Sequence, residues 1–281
     1  KDQLFEASNL TEKIKKNKIH IDVLFVDVYK INAVWEEKIK TSTDKLFAID
    51  DLANRGHYAD YIIDQNAGRT ETDYKIHNLN RGKILSGTRF AIINQDIADY
   101  RDKALRIRKK INNKNILINF GSSSHESLYS QFIKSLISNG DMQGKSISLL
   151  SSNKTSNEFK DLLDSLKVRL LTSLSPIELA KLYISSDFCI GAGGVSALER
   201  CCLGLPSGVV CIAENQYPGS VQLEKKGCIK LLNNFPDLTV SINIIKNLLN
   251  DDNQLKELSI NSFNEVDGNG LKRILSEVES A

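Results

Sequence analysis

Short β-rich apolar runs alternate with helical patterns along most of this chain, and that alternation constrains its fold more than any other feature. Residues 21–27 (IDVLFVD) form a short buried strand by length and β-branched content. Residues 32–42 follow as a helix with Val34, Trp35 and Ile39 on one face, then 45–50 and 61–64 as strands. Segments 83–86 and 90–93 are short β pieces. Segment 96–110 is a helix, acidic at its start and basic at its end, as the helix dipole favours. A second series opens at 115–120 (NILINF). It runs through helix 126–138, strand 146–150, helix 157–166, strand 168–171 and helix 176–185. Strand 188–190, helix 196–203, strand 208–212, helix 216–226 and strand 229–232 complete it, before two or three final helices. Such alternation means parallel sheets covered by helices, an α/β fold.

At roughly 150 residues per domain, 281 residues suggest two domains. The natural boundary is the NNK stretch at 112–114, after the charged end of helix 96–110. Residues 112–281 then read as a complete Rossmann-like domain, with terminal helices that can pack back on the N-terminal domain. Residues 1–111 read as a second Rossmann-like domain without an obvious beginning. The chain starts at Lys1 and its one methionine is Met142, so a trimmed chain is expected.

The charge balance, 37 Lys and Arg against 35 Asp and Glu, leaves +2. That argues against whole-chain binding to nucleic acid or an anionic membrane. No run approaches the roughly 18 apolar residues of a membrane span. Cys189, Cys201, Cys202, Cys211 and Cys228 form an odd set with no C-x-x-C pair, and no His lies near them in sequence. They read as small buried hydrophobes in a reducing cytoplasm rather than as disulfides or a zinc site. The visible N-terminus carries no apolar signal-peptide core. No metal-ligand cluster is visible, no cofactor is expected, and the sequence does not reveal an oligomeric state.

Ligands of open α/β sheets bind beyond the carboxyl ends of the strands. The strongest such loop is GAGGVSALER (191–200). Gly193 and Gly194 let the backbone approach a ligand. The amides of Val195, Ser196 and Ala197 would be unpaired at a helix N-terminus, a ready site for phosphate or pyrophosphate. Ser196 adds a hydroxyl or serves as N-cap. Glu199, one turn on, could accept both hydroxyls of a ribose. The alternative is a tight structural turn with Glu199 solvated. The GSSS loop, with Gly121 and Ser122, reads either as phosphate donors or as the cap of the next helix. His125 beside it is a weak acid/base candidate. Asn215 and Gln216 in AENQY (213–217) carry amides suited to sugar hydroxyls or phosphate oxygens, or to helix capping. In the first series, Asp50 and Asp51 read as turn and cap residues. His57, in RGHY (55–58), has no partner visible in sequence.

Several of these segments together carry a family resemblance. GAGGVSALERCCLGLP (191–206) followed by AENQ (213–216) resembles the nucleotide-binding half of the UDP-sugar hydrolase of pseudaminic acid biosynthesis. That family is similar to the UDP-GlcNAc transferase of peptidoglycan synthesis. IDDLANRGHYADYIIDQNAG (49–68), VDVYKI (26–31) and VDGNGLKR (266–273) match its other motifs in order. The resemblance implies a GT-B-like fold of two Rossmann-like domains, the N-terminal one incomplete. It implies UDP on the C-terminal domain, with Gly193, Gly194, Val195 and Ser196 at the pyrophosphate and Glu199 at the ribose. The loop before Pro176 would meet uracil, Asn215 and Gln216 the pyrophosphate or sugar, and Tyr29 the substrate. The implied reaction is metal-free hydrolysis of a UDP-diacetamido-trideoxy sugar. The family's general base is a His in a Gly-x-Gly-His-x-x-Arg loop, and no such segment occurs here. Ser122 also stands where relatives tend to have a second glycine. Two alternatives share the same nucleotide site: a glycosyltransferase using a UDP-sugar donor, and a catalytically silent nucleotide-sugar binding module.

Overall fold

The computed structural model describes residues 2–110, 113–121, 126–138, 142–151, 155–232 and 238–280. The chain divides into two compact units, Lys1–Ala91 with Asn269–Ala281, and Ile92–Gly268.

The first unit opens with a helix that the periodicity does not announce, α1 (Gln3–Lys16). Asp2 caps it by accepting from the Leu4 and Phe5 amides, and three lysines close it. It buries Ala7, Thr11 and Ile14 while Leu4, Phe5 and Leu10 stay exposed, so no apolar stripe marks it. Then come β1 (Val23–Val26), α2 (Ala33–Lys40), β2 (Lys45–Ile49), β3 (Tyr61–Asp64) and β4 (Lys83–Ser86). The strands form a parallel sheet in the order β1-β2-β3-β4. The register sets Phe25 beside Phe47 and Phe47 beside Tyr61, and their rings stack at 4.7 and 4.3 Å. Trp35, Ile39, Leu46, Ile62 and Tyr74 centre the core. Segment 90–93 is not a strand: a 3-10 turn, Thr88–Phe90, takes its place.

In the second unit the expected helix 96–110 is broken into α3 (Gln95–Ala98) and α4 (Arg101–Ile107). After them follow β5 (Asn115–Asn119), α5 (Glu126–Ser138), β6 (Ser146–Ser151), α6 (Asn157–Ser165), β7 (Val168–Thr172), α7 (Pro176–Ser185) and β8 (Phe188–Ala192). The series ends with α8 (Val195–Cys202), β9 (Ser207–Val210), α9 (Gln216–Lys225), β10 (Lys230–Leu231), α10 (Leu238–Leu249) and α11 (Asp252–Glu265). The six strands pair in parallel in the order β10-β9-β8-β5-β6-β7. Counted from the β7 edge, that is the 3-2-1-4-5-6 order of a doubly wound sheet, with its switch point between β5 and β8. Ile118, Phe132, Leu149, Phe188 and Ile190 lie at the centre of its core.

Arginines tie the segment before β5 into this second unit. Arg101 donates to the carbonyls of Cys202, Phe263 and Val266, at 2.6, 2.6 and 2.8 Å. Arg108, nearly buried, donates to those of Tyr183 and Ser186. These carbonyls close α8, α11 and α7, where a cation satisfies both the orphan acceptors and the dipole. Residues 92–110 therefore pack with the second unit, so the division falls ahead of the 112–114 stretch that the local pattern marks. The last helix, α12 (Gly270–Glu279), belongs to the first unit. There Gly270 lies so close to Ala91 that a Cβ would stand 2.2 Å from its carbonyl oxygen. Arg273 donates to the Arg89 carbonyl, and Lys83 pairs with Glu277. No helix among the described residues is long and apolar enough to cross a membrane.

Candidate functional site

The switch point brings two sequence-selected loops to neighbouring strand ends. β8 is buried along its whole length and ends at Ala192. Gly193 follows, buried, its amide on the Val210 carbonyl; a Cβ there would lie 2.8 Å from Ser220 Oγ and 3.1 Å from Gln216 Cβ. Gly194 has φ +70° and ψ −150°, a conformation essentially restricted to glycine, and it is the N-cap of α8. The amides of Val195 and Ser196 then open the helix with no acceptor inside it. Val195 is exposed and Ser196 half-buried. The neighbouring strand β5 is followed by Phe120 and Gly121. Gly121 has φ +74°, open space where a Cβ would be, and its amide on Asn119 Oδ1. Ser122 and His125 lie outside the described residues.

Glu199 stands one turn beyond Ser196, half-buried. Burial pushes its carboxyl up to about 7, with the Arg200 charge working in the other direction. Beside it, Arg200 is wholly buried. From α9, Gln216 accepts the Ile212 amide at 3.1 Å and packs along Gly193 and Gly194, so part of its role is to brace the loop. Asn215 occupies the N-cap position of α9 without making a side-chain cap bond. A cavity of about 530 Å³ opens at this edge, lined by Cys211, Ile212, Ala213, Glu214 and Tyr217. The loop before Pro176 follows β7, with Ser173 at φ +54° and Ser175 and Glu178 closing a capping box on α7. All five cysteines are free and buried.

The first unit carries a polar network that the sequence did not disclose. His57 is 1% exposed, and its Nδ1 lies 2.8 Å from Glu36 Oε1. Its Nε2 faces Asp50 Oδ2 at 3.7 Å. Burial opposes charging this ring, but Asp50 and Glu36 outweigh it and hold the imidazolium up to about 9. Burial likewise opposes ionising Asp50, yet His57, the Ala53 amide and Arg55 hold its carboxyl down to about 2. Tyr74 places its hydroxyl 3.0 Å from Asp50 Oδ2 and 2.8 Å from Asp64 Oδ2. Arg55 pairs with Asp50 and Arg69 with Asp64, each at 2.5 Å. Asp50 thus makes the turn bond expected of it and also anchors a buried charge cluster. Nearer the surface, the exposed Tyr29 donates to Asp51 Oδ2 at 2.8 Å, at the carboxyl ends of β1 and β2.

One group among the described residues has metal-ligand spacing. His20 Nε2 lies 3.4 Å from Asp22 and 3.1 Å from Asp44. All three are exposed and precede β1 and β2, at the amino ends of the strands, and no metal role is assigned to them.

The sequence matches no protein-family model and no curated protein. Solved structures do share the fold. MurG of Acinetobacter baumannii gives a TM-score of 0.68 at 13% identity, covering 99% of this chain and 78% of that one. The UDP-GlcNAc 2-epimerase of Neisseria meningitidis, solved bound to UDP-GlcNAc, gives 0.67 at 14% identity, covering 98% and 80%. MnaA of S. aureus, solved with UDP, gives 0.64 at 13% identity, covering 99% and 80%. The fold is accordingly α/β with two parallel sheets, matching the GT-B-like, Rossmann-type folds of these structures.

Proposed function

We propose that the second unit binds a UDP-sugar and that the chain serves the hydrolytic release of UDP, from a diacetamido-trideoxy sugar of the pseudaminic acid type. One observation carries the nucleotide reading. A glycine pair feeds a helix N-terminus at the switch point of a doubly wound sheet, and a half-buried carboxylate stands one turn further on. In this reading Val195, Ser196 and the Gly193–Gly194 backbone hold the pyrophosphate, with Gly121 beside them at the end of the neighbouring strand; Ser122 is assigned to the nucleotide from the sequence alone. Glu199 accepts the ribose hydroxyls. Asn215 and Gln216 face the pyrophosphate or sugar, and Tyr29 contacts substrate. The UDP and UDP-GlcNAc held by two structures of the same fold support the ligand class.

The hydrolytic reading rests on the sequence resemblance. Water oxygen attacks the anomeric carbon, and the bond from that carbon to the UDP oxygen breaks. UDP leaves with the electron pair, and the water proton passes to a base. His57 is not assigned that role, because it is buried and held between two carboxylates. The test is UDP release from a UDP-diacetamido-trideoxy sugar with no acceptor present, and acceptor-free release is the expected result. Release that depends strictly on a hydroxyl acceptor makes the protein a glycosyltransferase instead. UDP binding without turnover makes it a silent binding module.

A further inference from the structure

Three arginines reach into the second unit, and two have a plain structural reason. Arg101 and Arg108 end on carbonyls that close helices. Arg200 does not. It lies on α8, wholly buried, with its guanidinium over β8 in the space left by Gly191; a Cβ at that glycine would stand 2.9 Å from Nη1. Nη2 donates to the Ala192 carbonyl at 2.6 Å, and Nε donates to Ser207 Oγ at 3.1 Å. Nη1 has no hydrogen-bond partner, and no carboxylate among the described residues forms an ion pair with Arg200. Glu199, the adjacent acid, makes no such pair.

A guanidinium removed from water without an anion is strongly unfavourable. An apolar side chain would fill the same volume without that penalty. The guanidinium, with no ion-pair partner among the described residues, is fixed to the last residue of β8, immediately before the glycine pair. We propose that Arg200 is a positioning residue for the nucleotide's phosphates: its buried charge, pinned beneath Ala192, raises the affinity of the α8 N-terminus for pyrophosphate without touching it. The bound anion then adds negative charge near a guanidinium that has no ion-pair partner among the described residues. This inference rests on the nucleotide reading above and adds to it a residue that separates nucleotide from nucleoside.

The experiment titrates UDP, uridine and inorganic pyrophosphate into the unaltered chain, Arg200→Met and Arg200→Lys by calorimetry. Arg200→Met is expected to lose about tenfold or more in affinity for UDP and pyrophosphate, with uridine changing by less than about twofold. Arg200→Lys, which keeps the charge, recovers part of the loss. Equal losses for UDP and uridine indicate a merely structural role and overturn the proposal, as does an unchanged UDP affinity. If Arg200→Met does not fold, salt dependence in the unaltered chain decides. A buried charge is weakly screened, so the preference for UDP over uridine persists from roughly 0.05 to 0.5 M sodium chloride. A preference that collapses with salt belongs to exposed cations and overturns the proposal. An unaltered chain that binds neither UDP nor pyrophosphate defeats the nucleotide reading itself, and the role of Arg200 with it.

Discussion

Glu199 is the residue on which the nucleotide reading is most directly tested. Its replacement by alanine should weaken UDP binding by roughly 1–3 kcal/mol if it accepts the ribose hydroxyls; calorimetry measures this, and an unchanged affinity removes the ribose assignment. Because its carboxyl sits near 7 through burial, the neutral acid predominates below that pH and the carboxylate above it. UDP affinity is therefore expected to rise as pH rises through about 7, and Glu199→Gln should abolish the component due to this group. Gly194→Ala is expected to destabilise the protein by roughly 1–3 kcal/mol, read by urea unfolding, since its backbone conformation is essentially closed to side chains. These residues were legible because their signal is local: glycines, a hydroxyl and a carboxylate within seven positions. Arg200 left a fainter trace, an arginine three places after the buried Ala197 and next to the buried Cys201, on the apolar side of α8. His57 left none, because Glu36 lies 21 residues earlier and only the fold brings the two together.

At the scale of elements, caps made the helices readable. Helix α7 runs from Pro176 to Ser185 as expected because Ser175, Pro176 and Glu178 fix its start. Helix α1 was not read because the residues it buries are Ala7, Thr11 and Ile14, a face too weakly apolar to register. Helix α12 depends on a contact that sequence cannot display, the approach of Gly270 to Ala91. Gly270→Ala should lower stability by roughly 1–3 kcal/mol through overpacking. The comparison is Gly144→Ala, at φ +75° with open space around it, which bears only the conformational penalty of about 1–2 kcal/mol. If urea unfolding finds Gly270→Ala no worse than Gly144→Ala, the close approach does not hold α12 in place.

Stability of the whole molecule should carry the imprint of its buried charges. The folded state holds His57 up to about 9, against 6.5 for an ordinary imidazole, so it binds the proton more tightly than the unfolded chain does. The resulting stabilisation, roughly 3 kcal/mol, is complete below about 6.5 and lost as pH rises through about 9. Asp50 acts in the opposite sense: its contribution is present above 3.8 and lost as pH falls through about 2. Denaturant titrations across pH should show both limbs, and His57→Gln should abolish the alkaline one. The parallel, helix-covered character of the second sheet was readable from strand-helix alternation, whereas its strand order and the grouping of 92–110 with the second unit depend on contacts that no local pattern encodes. The packing around Gly191 carries a consequence for inheritance and for engineering. A side chain at 191 would meet the Asn119 carbonyl at 2.7 Å as well as the Arg200 guanidinium, so glycine is fixed there whatever stands at 200. Of the two positions only 200 can drift, or be varied in a library, without a clash against the backbone, and the strand end at 191 stays frozen.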